Sequence, residues 1–545
     1  MKWTLALGVV CVAHLGCTDD STSATSPDAA ASSPDAAVAV AVDAAVSPDA
    51  PALPAPTVAN LKDGAVVHTG FVVGTSSGAG VEVAIDDGAF APAAGANEWA
   101  FRLPAGASTW KQGSRHELAV RAKDTAGAPG AVTTLFVVKG VNEDVNGDGY
   151  PDVVVGDFGG QVYVFHSSGS GGVVDADVAH AATTLVGDDG SFGVSVALGD
   201  VNGDGYADVV VGAHEVAIGT DDEVGQAYVF HSDGPAGVAS RNAAAASTIL
   251  SGSDDDDNLG RFVAVGDVNG DGYDDVVVAG NGKSWVFHSD GSAGVASSDD
   301  THASTTIAGA GAAIAVGDVN GDGFPDVVIG GSNTVFVFHS AGSGGVASGA
   351  TADATATLSG TPLSNGAVGA LGRCLAIGDV NGDGFGDVVA CGRPVRVFHS
   401  AGSSGIASTD ETHAATALNG TSSGEDFGTA VAVGDLNGDG FADVVVGTTG
   451  NTSHAYVFPS TGADGIASAD DLHAGVSLVG TMGSEGFAMS LAAGDLDGDG
   501  FDDLVIGAGS HAYVFRSTGA TGVAGSSDRD ATSTLSGLLA AALAL

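Results

Sequence analysis

At 545 residues the chain exceeds one ordinary domain, and only a repeat architecture would take most of that length into a single fold. Its formal net charge is −50 with only 16 Lys plus Arg, so it repels phosphate backbones and nucleic acid is not an expected partner. Gly contributes 87 residues and Cys only four, which excludes a disulfide scaffold.

Lys2 and the mostly apolar run from Trp3 to Leu15 make residues 1–17 a secretory signal. Its end, Leu15-Gly16-Cys17, resembles a bacterial lipoprotein leader, in which Cys17 would be lipidated and become the new N-terminus. His14 departs from that pattern, and simple secretion is the alternative. No other stretch reaches the ~18 apolar residues of a membrane span, so membrane contact is expected only through such a lipid. The expected location is the secreted fraction or the cell envelope, the latter as an outer-membrane lipoprotein of a Gram-negative bacterium.

Residues 18–55 repeat Ser, Pro, Asp and Ala and carry no large apolar side chains, which predicts a disordered, partly extended tether. Residues 56–140 change character. Alternating runs such as Val81-Glu82-Val83-Ala84-Ile85 and Glu117-Leu118-Ala119-Val120-Arg121 are separated by turn residues. Trp99 and Trp110 offer core bulk. The spacing predicts a small antiparallel Ig-like β-sandwich, with a rigid stalk as its expected role.

From residue 141 to 545 the chain repeats itself. One unit runs from Phe192-Gly193 through Asp200 to Gly205, then Val209-Val210-Val211, then Ala227 to Ser232, and closes at Ser247 to Gly252. Four β-rich runs per unit, several nearly all apolar, suit strands buried on both faces. The acidic element of the unit starts at 144, 200, 267, 318, 379, 435 and 495. The fold class is therefore all-β: a seven-bladed β-propeller with calcium loops, preceded by the sandwich. The first unit lacks an inner strand before Asp144. The tail Ala541 to Leu545 resembles Ala312 to Val316, so residues 538–545 are expected to supply that strand and latch the ring.

Each acidic element is a nine-residue string, Asp-x-Asn/Asp-x-Asp-Gly-x-x-Asp, whose donors are all oxygen. The first loop offers Asp144, Asn146, Asp148, the carbonyl of Tyr150, and Asp152. The second offers Asp200, Asn202, Asp204, Tyr206 and Asp208; the third, Asp267, Asn269, Asp271, Tyr273 and Asp275. The fourth offers Asp318, Asn320, Asp322, Phe324 and Asp326; the fifth, Asp379, Asn381, Asp383, Phe385 and Asp387. The sixth offers Asp435, Asn437, Asp439, Phe441 and Asp443; the seventh, Asp495, Asp497, Asp499, Phe501 and Asp503. A cage of hard oxygens suits Ca²⁺ rather than softer metals, so about seven calcium ions are expected. An EF-hand is excluded, because Val155 stands where its twelfth-position Glu would be and the flanks are strand-like.

These units resemble the FG-GAP repeats of integrin α propellers and of many bacterial surface proteins. Phe192-Gly193 and Phe427-Gly428 match the Phe-Gly element, with Leu259-Gly260 and Leu371-Gly372 close to it. Gly212-Ala213-His214 and Gly392-Arg393-Pro394 are decayed forms of Gly-Ala-Pro. The resemblance implies calcium loops on the lower face, between the first two strands of each blade, and ligands on the opposite face. Loops in all seven blades depart from integrins, which carry them in only some.

Other constellations point to structure. Gly-x-Ser-x-Gly at Gly74 to Gly78 and at Gly420 to Gly424 lies in Gly/Ser-rich turns without the helix a nucleophile elbow needs. His166, His231, His288, His339 and His399 follow the third strand, where Pro459 and Arg516 stand in the last two units. His180, His302, His413 and His473 precede the fourth. Both sets read as turn or packing features, with a ring of metal-binding His near the axis as the alternative. Cys374 and Cys391 flank the fifth loop, either as a cross-strand disulfide or as two independent buried thiols.

No catalytic residue emerges. The expected function is a monomeric adhesion or ligand-binding module with structural calcium, whose ligand is a protein or glycan. An extracellular enzyme on polysaccharide or phospholipid, and a purely structural envelope protein, are the alternatives. The variable loops Ala213 to Gln226 and Ser253 to Asn258 are expected on the ligand face.

Overall fold

A computed structural model describes residues 53–545 apart from 59–64, 68–70, 87, 96–97, 103–114, 140–142, 188–190, 220–222, 362–370, 423–424, 451, 482–485 and 539. The leader with Cys17, the tether up to residue 52, and Trp110 lie outside the described residues. Strands and short 3₁₀ turns account for all regular structure among them. No helix there is long and apolar enough to cross a membrane.

Two sheets form between Thr57 and Lys139. One joins Thr57–Val58, Phe71–Thr75, Glu98–Arg102 and Ala94–Gly95. The other joins Ala65–Val67, Pro129–Lys139, Arg115–Lys123, Gly80–Ile85 and Ala91–Pro92. Alternation decides which side chains go inward: along Arg115–Lys123, residues His116, Leu118, Val120 and Ala122 are buried and their neighbours are not. Leu118 and Val120 share one core with residues of the other strands, including Val72, Val81, Trp99 and Val137. One pairing departs from the antiparallel expectation. Ala65–Val67 lies parallel to Val137–Lys139. The long chain between them allows a parallel pair, which a tight hairpin would forbid.

From residue 153 onward seven sheets of four antiparallel strands appear. In the second they are Ser195–Gly199, Asp208–Ala213, Gln226–Phe230 and Thr248–Ser251. Every residue of Asp208–Ala213 is buried, as its unbroken apolar run predicts for a strand covered on both faces. The inner strands touch in succession from Ser195–Gly199 round to Ser490–Gly494. The tail strand Ala540–Ala544 then contacts both Ser490–Gly494 and Ser195–Gly199, so the ring closes.

The tail does what its sequence predicts. Ala540–Ala544 pairs antiparallel with Val153–Asp157, with Leu543 opposite Val155 and Ala542 opposite Gly156. It is the innermost strand of the first sheet. A second closure was not legible in the sequence. In six of the seven sheets a two-residue strand from the following unit adds to the outer edge, as Arg241–Asn242 does on Thr183–Val186, and in the sixth a single bridge from Val479 to Ser527 takes its place. Ala176–Asp177 likewise pairs with Ser533–Ser536 of the last sheet.

Close packing between blades explains the Phe-Gly element. The ring of Phe192 is buried against Tyr228 and Phe230, with centroids 5.5 and 6.2 Å away. The glycine that follows serves another purpose. The carbonyl of Gly260 lies against Gly212 of the preceding blade so closely that a Cβ there would sit 2.0 Å from it. The same approach recurs from Gly193 onto Gly156 and from Gly372 onto Gly330. Gly212→Ala is therefore expected to cost about 3 kcal/mol or more, because the obstacle is backbone that has no rotamer to yield. Urea denaturation of the variant checks this, and an unchanged midpoint would contradict the packing argument.

Cys374 and Cys391 form a disulfide across the ends of Leu375–Gly378 and Asp387–Ala390, with Cα atoms 5.1 Å apart. The alternative of two independent thiols is set aside.

Candidate metal centre

Six of the acidic strings connect the innermost strand of a sheet to its second strand, and the first leads into Val153–Asp157, the second strand of its sheet, so all seven share one end of the ring. In the second loop the backbone curls around the first carboxylate. Asp200 Oδ2 accepts from the Gly205 N–H at 2.8 Å and Oδ1 from the Asp204 N–H at 3.0 Å. Asn202 Oδ1 also accepts from Asp204 N–H, and Asp204 Oδ1 from Tyr206 N–H. Gly205 makes the curl with φ +89°, a region closed to most side chains. The bond from the sixth-position glycine to the first carboxylate recurs in all seven loops at 2.6–2.9 Å.

The ninth-position carboxylate is the most deeply held. Asp208 Oδ2 accepts from the Val201 N–H at 3.1 Å, and Oδ1 accepts from the Ser232 N–H at 2.8 Å. The serine bond repeats in every blade at 2.8–2.9 Å. In the seventh loop, one oxygen from each of Asp495, Asp497 and Asp499 lies within 4.8 Å of the other two. Asp503 is not in that trio; its oxygens face the Leu496 and Ser517 N–H groups.

These carboxyls sit where a bare negative charge is costly. Burial is the largest cause, and neighbouring loop carboxylates add to it. Together they push Asp152, Asp387, Asp443 and Asp503 up to about 8, and Asp275 and Asp326 to about 9. The first-position groups move less, to about 6 at Asp200 and about 7 at Asp267, because their backbone bonds favour the charged form. A divalent cation would offset both the burial and the mutual repulsion. An all-oxygen donor set buried in this way fits Ca²⁺, and the residues that could hold it are those of the nine-residue strings.

The loops are also fastened to one another, which the sequence did not reveal. The hydroxyl after each third strand donates to the second loop residue of the preceding blade. Ser232 bonds the Val145 carbonyl and Ser289 the Val201 carbonyl, both at 2.7 Å. All seven blades make this bond, down to Ser167 on the Leu496 carbonyl across the closure. The seventh-position aromatic, singled out only for its carbonyl, lays its ring on the preceding loop. A Cβ on Gly203 would meet the Tyr273 ring at 2.3 Å, and Gly498 carries the Tyr150 ring in the same way. An aromatic at a fixed place in all seven strings was the available signal.

The remaining histidines are placed plainly. His180, His302, His413 and His473 bond through Nδ1 to the Asp three residues earlier, at 2.5–2.9 Å, beside the outermost strands. The other five stand at the ends of third strands. Neither set lines the axis, so the alternative of an axial His ring does not hold. Ser76 of the first Gly-x-Ser-x-Gly bonds the Gly78 N–H in a turn.

At the opposite end lie the hairpin turns and the links between blades. The two variable loops meet there. Asn258 N–H donates to the Glu223 carbonyl at 3.0 Å, and Lys283 Nζ holds Asp257 at 2.7 Å.

The repeats match family models described as FG-GAP-like repeat, over 144–211, 267–329 and 318–390, and as FG-GAP repeat, over 427–463 and 487–524. The chain carries FG-GAP repeats. Its relatives include integrin α chains. Integrin alpha-PS5 of Drosophila melanogaster is 39% identical over 100 residues, covering 18% of this chain and 10% of that protein. A phosphatidylinositol-glycan-specific phospholipase D of Rattus norvegicus is 31% identical over 149 residues, covering 25% of this chain and 17% of the enzyme. The FG-GAP chain thus spans only a small part of either relative's length. A solved Agrocybe aegerita lectin that recognises non-reducing terminal N-acetylglucosamine is similar at TM-score 0.43 and 17% identity, over 69% of this chain and 89% of that one.

Proposed function

We propose that this FG-GAP protein is a calcium-loaded binding head of the cell surface, borne on a spacer and a tether. The observation that carries the reading is the repetition of one oxygen-only loop in all seven blades of an integrin-α-like ring. One Ca²⁺ would be held in each loop by the donors named above, through charge neutralisation and oxygen coordination. Calcium is structural in this reading: it stiffens one face and leaves the other for the ligand. The region from 56 to 140 serves as an Ig-like stalk, and lipidation at Cys17 anchors a monomer to the envelope.

The ligand is a protein or glycan engaging the face built by the loops 213–226 and 253–258. Those loops are acidic, so a basic or calcium-bridged group suits them better than an anion. Phe158 and Ile218, 47% and 37% exposed on loops of the same end, add apolar contact. A glycan and protein array probed with the full chain, and with Asp254, Asp255 and Asp256 changed together to Asn, tests this. Binding that the triple variant loses supports the assignment. Equal binding by both, or by neither, refutes it.

Similarity to a phospholipase D supports a second reading, an extracellular enzyme on phospholipid or polysaccharide. Release of a glycosylphosphatidylinositol-anchored substrate by the purified chain would favour it over the binding module.

A further inference from the structure

The five histidines that end a third strand share an environment that a turn feature does not explain. Nε2 of His166, His231, His288, His339 and His399 is out of contact with solvent and has no hydrogen-bond partner. An orphaned buried nitrogen costs about 1–3 kcal/mol, yet the chain keeps it in five blades. The next blade presses on the ring from one side. A Cβ on Gly237, Gly294, Gly345, Gly405 or Gly465 would meet Nε2 at 2.4–2.7 Å. On the other side is the acidic loop of the same blade. Nε2 of His166, His231, His288 and His399 stands 3.9–4.0 Å from Oδ2 of Asp152, Asp208, Asp275 and Asp387. That is too long for a direct hydrogen bond, but one water about 2.8 Å from each atom spans it.

The two blades without histidine show that this position addresses the loop. In the seventh, Arg516 takes the place, and its guanidinium donates to Asp497 Oδ2 at 2.8 Å and to the Gly171 carbonyl at 2.6 Å. Asp497 is the third residue of its loop, where the other six carry Asn. Where the loop gains a carboxylate, the flanking position gains a fixed cation. In the sixth blade Pro459 brings no polar side chain.

We propose that Nε2 of these five histidines accepts a hydrogen bond from a water that is itself a ligand of the cation in the same blade's loop. The inference rests on the divalent-ion reading of the loops. It divides the seven sites into two classes: five with an imidazole-held water and two without, in the loops beginning at Asp435 and Asp495. Outer-sphere partners of this kind typically change metal affinity about 10- to 100-fold. The imidazole also ties each ion to the blade that follows, because that blade's glycine fixes the ring.

The test uses the full chain and two five-fold variants, with His→Phe or His→Gln at all five positions. Calcium titration calorimetry reads affinity and stoichiometry. Europium luminescence decay in H₂O and D₂O counts metal-bound waters. The Phe variant is expected to bind five ions about 10- to 100-fold more weakly and to lose bound water at those sites. The Gln variant, whose Oε1 accepts the same hydrogen bond, is expected to recover most of both. If the five-fold Phe chain does not fold, His231→Phe alone is expected to weaken a single ion in the same way. An unaltered isotherm and water count in a folded Phe variant overturns the inference and leaves the loop reading standing. Five equivalents of Zn²⁺ displacing Ca²⁺ with direct imidazole ligation overturns it as well. A parent chain that takes up neither Ca²⁺ nor Eu³⁺ sinks the loop reading and this inference with it.

Discussion

Removing divalent ions with a chelator is expected to lower the melting temperature of the ring by tens of degrees, or to leave no cooperative transition. At millimolar calcium and a dissociation constant near 10⁻⁴ M, each occupied site adds about 1.4 kcal/mol, and seven add on the order of 10 kcal/mol. Many whole domains have a net stability of only about 5–15 kcal/mol. The loops are also not independent. Each ninth carboxylate holds the serine after its own third strand, and that serine holds the preceding loop. Each seventh-position ring covers the preceding glycine. A loop that loses its cation must protonate or expel buried carboxylates, and its neighbours on both sides lose their supports. Calorimetry with and without chelator, and with magnesium in place of calcium, measures the effect. Superimposable curves would show that backbone hydrogen bonds alone hold the loops.

Deleting residues 538–545 is the second large effect. The segment buries Leu538, Leu543 and Leu545, which are 1–5% exposed, together with Ala542 and Ala544. Three leucines at about 2–3 kcal/mol each approach the stability of an ordinary domain. The loss is more than contact area. Val153–Asp157 would present an unpaired edge inside the ring, and the seventh and second sheets would lose the strand that joins them. The truncated chain is expected to melt far below the parent or to aggregate. Leu543→Ala alone should cost about 3 kcal/mol. Chemical denaturation and limited proteolysis of both variants give the measurement; parent-like stability of the truncation would show that the ring closes through Ala176–Asp177 on Ser533–Ser536.

Both effects depend on features that differ in how visible they were. The loop strings were plain, because chelating oxygens must recur at fixed spacing in the chain. The tail's role was plain because Ala541 to Leu545 copies the pattern of an inner strand missing from the first unit. The serine after each third strand and the seventh-position aromatic were in view but silent, since their partners lie in a different blade, 87 and 88 residues earlier in the Ser232 and Ser289 bonds. The orphaned imidazoles looked like a turn residue for the same reason. Parallel pairing of Ala65–Val67 was missed because alternation fixes which face a strand buries, not which neighbour it chooses.

The sequence by itself determined the all-β class, the repeat and the chemical character of the loops, because periodicity, glycine and oxygen donors act over a few residues. The tertiary structure alone decided how the units hold one another: which carbonyl each serine takes, which glycine each aromatic covers, and how Cys374 and Cys391 pair. Those contacts depend on the distance between separate stretches of chain, and only closing the ring sets that distance.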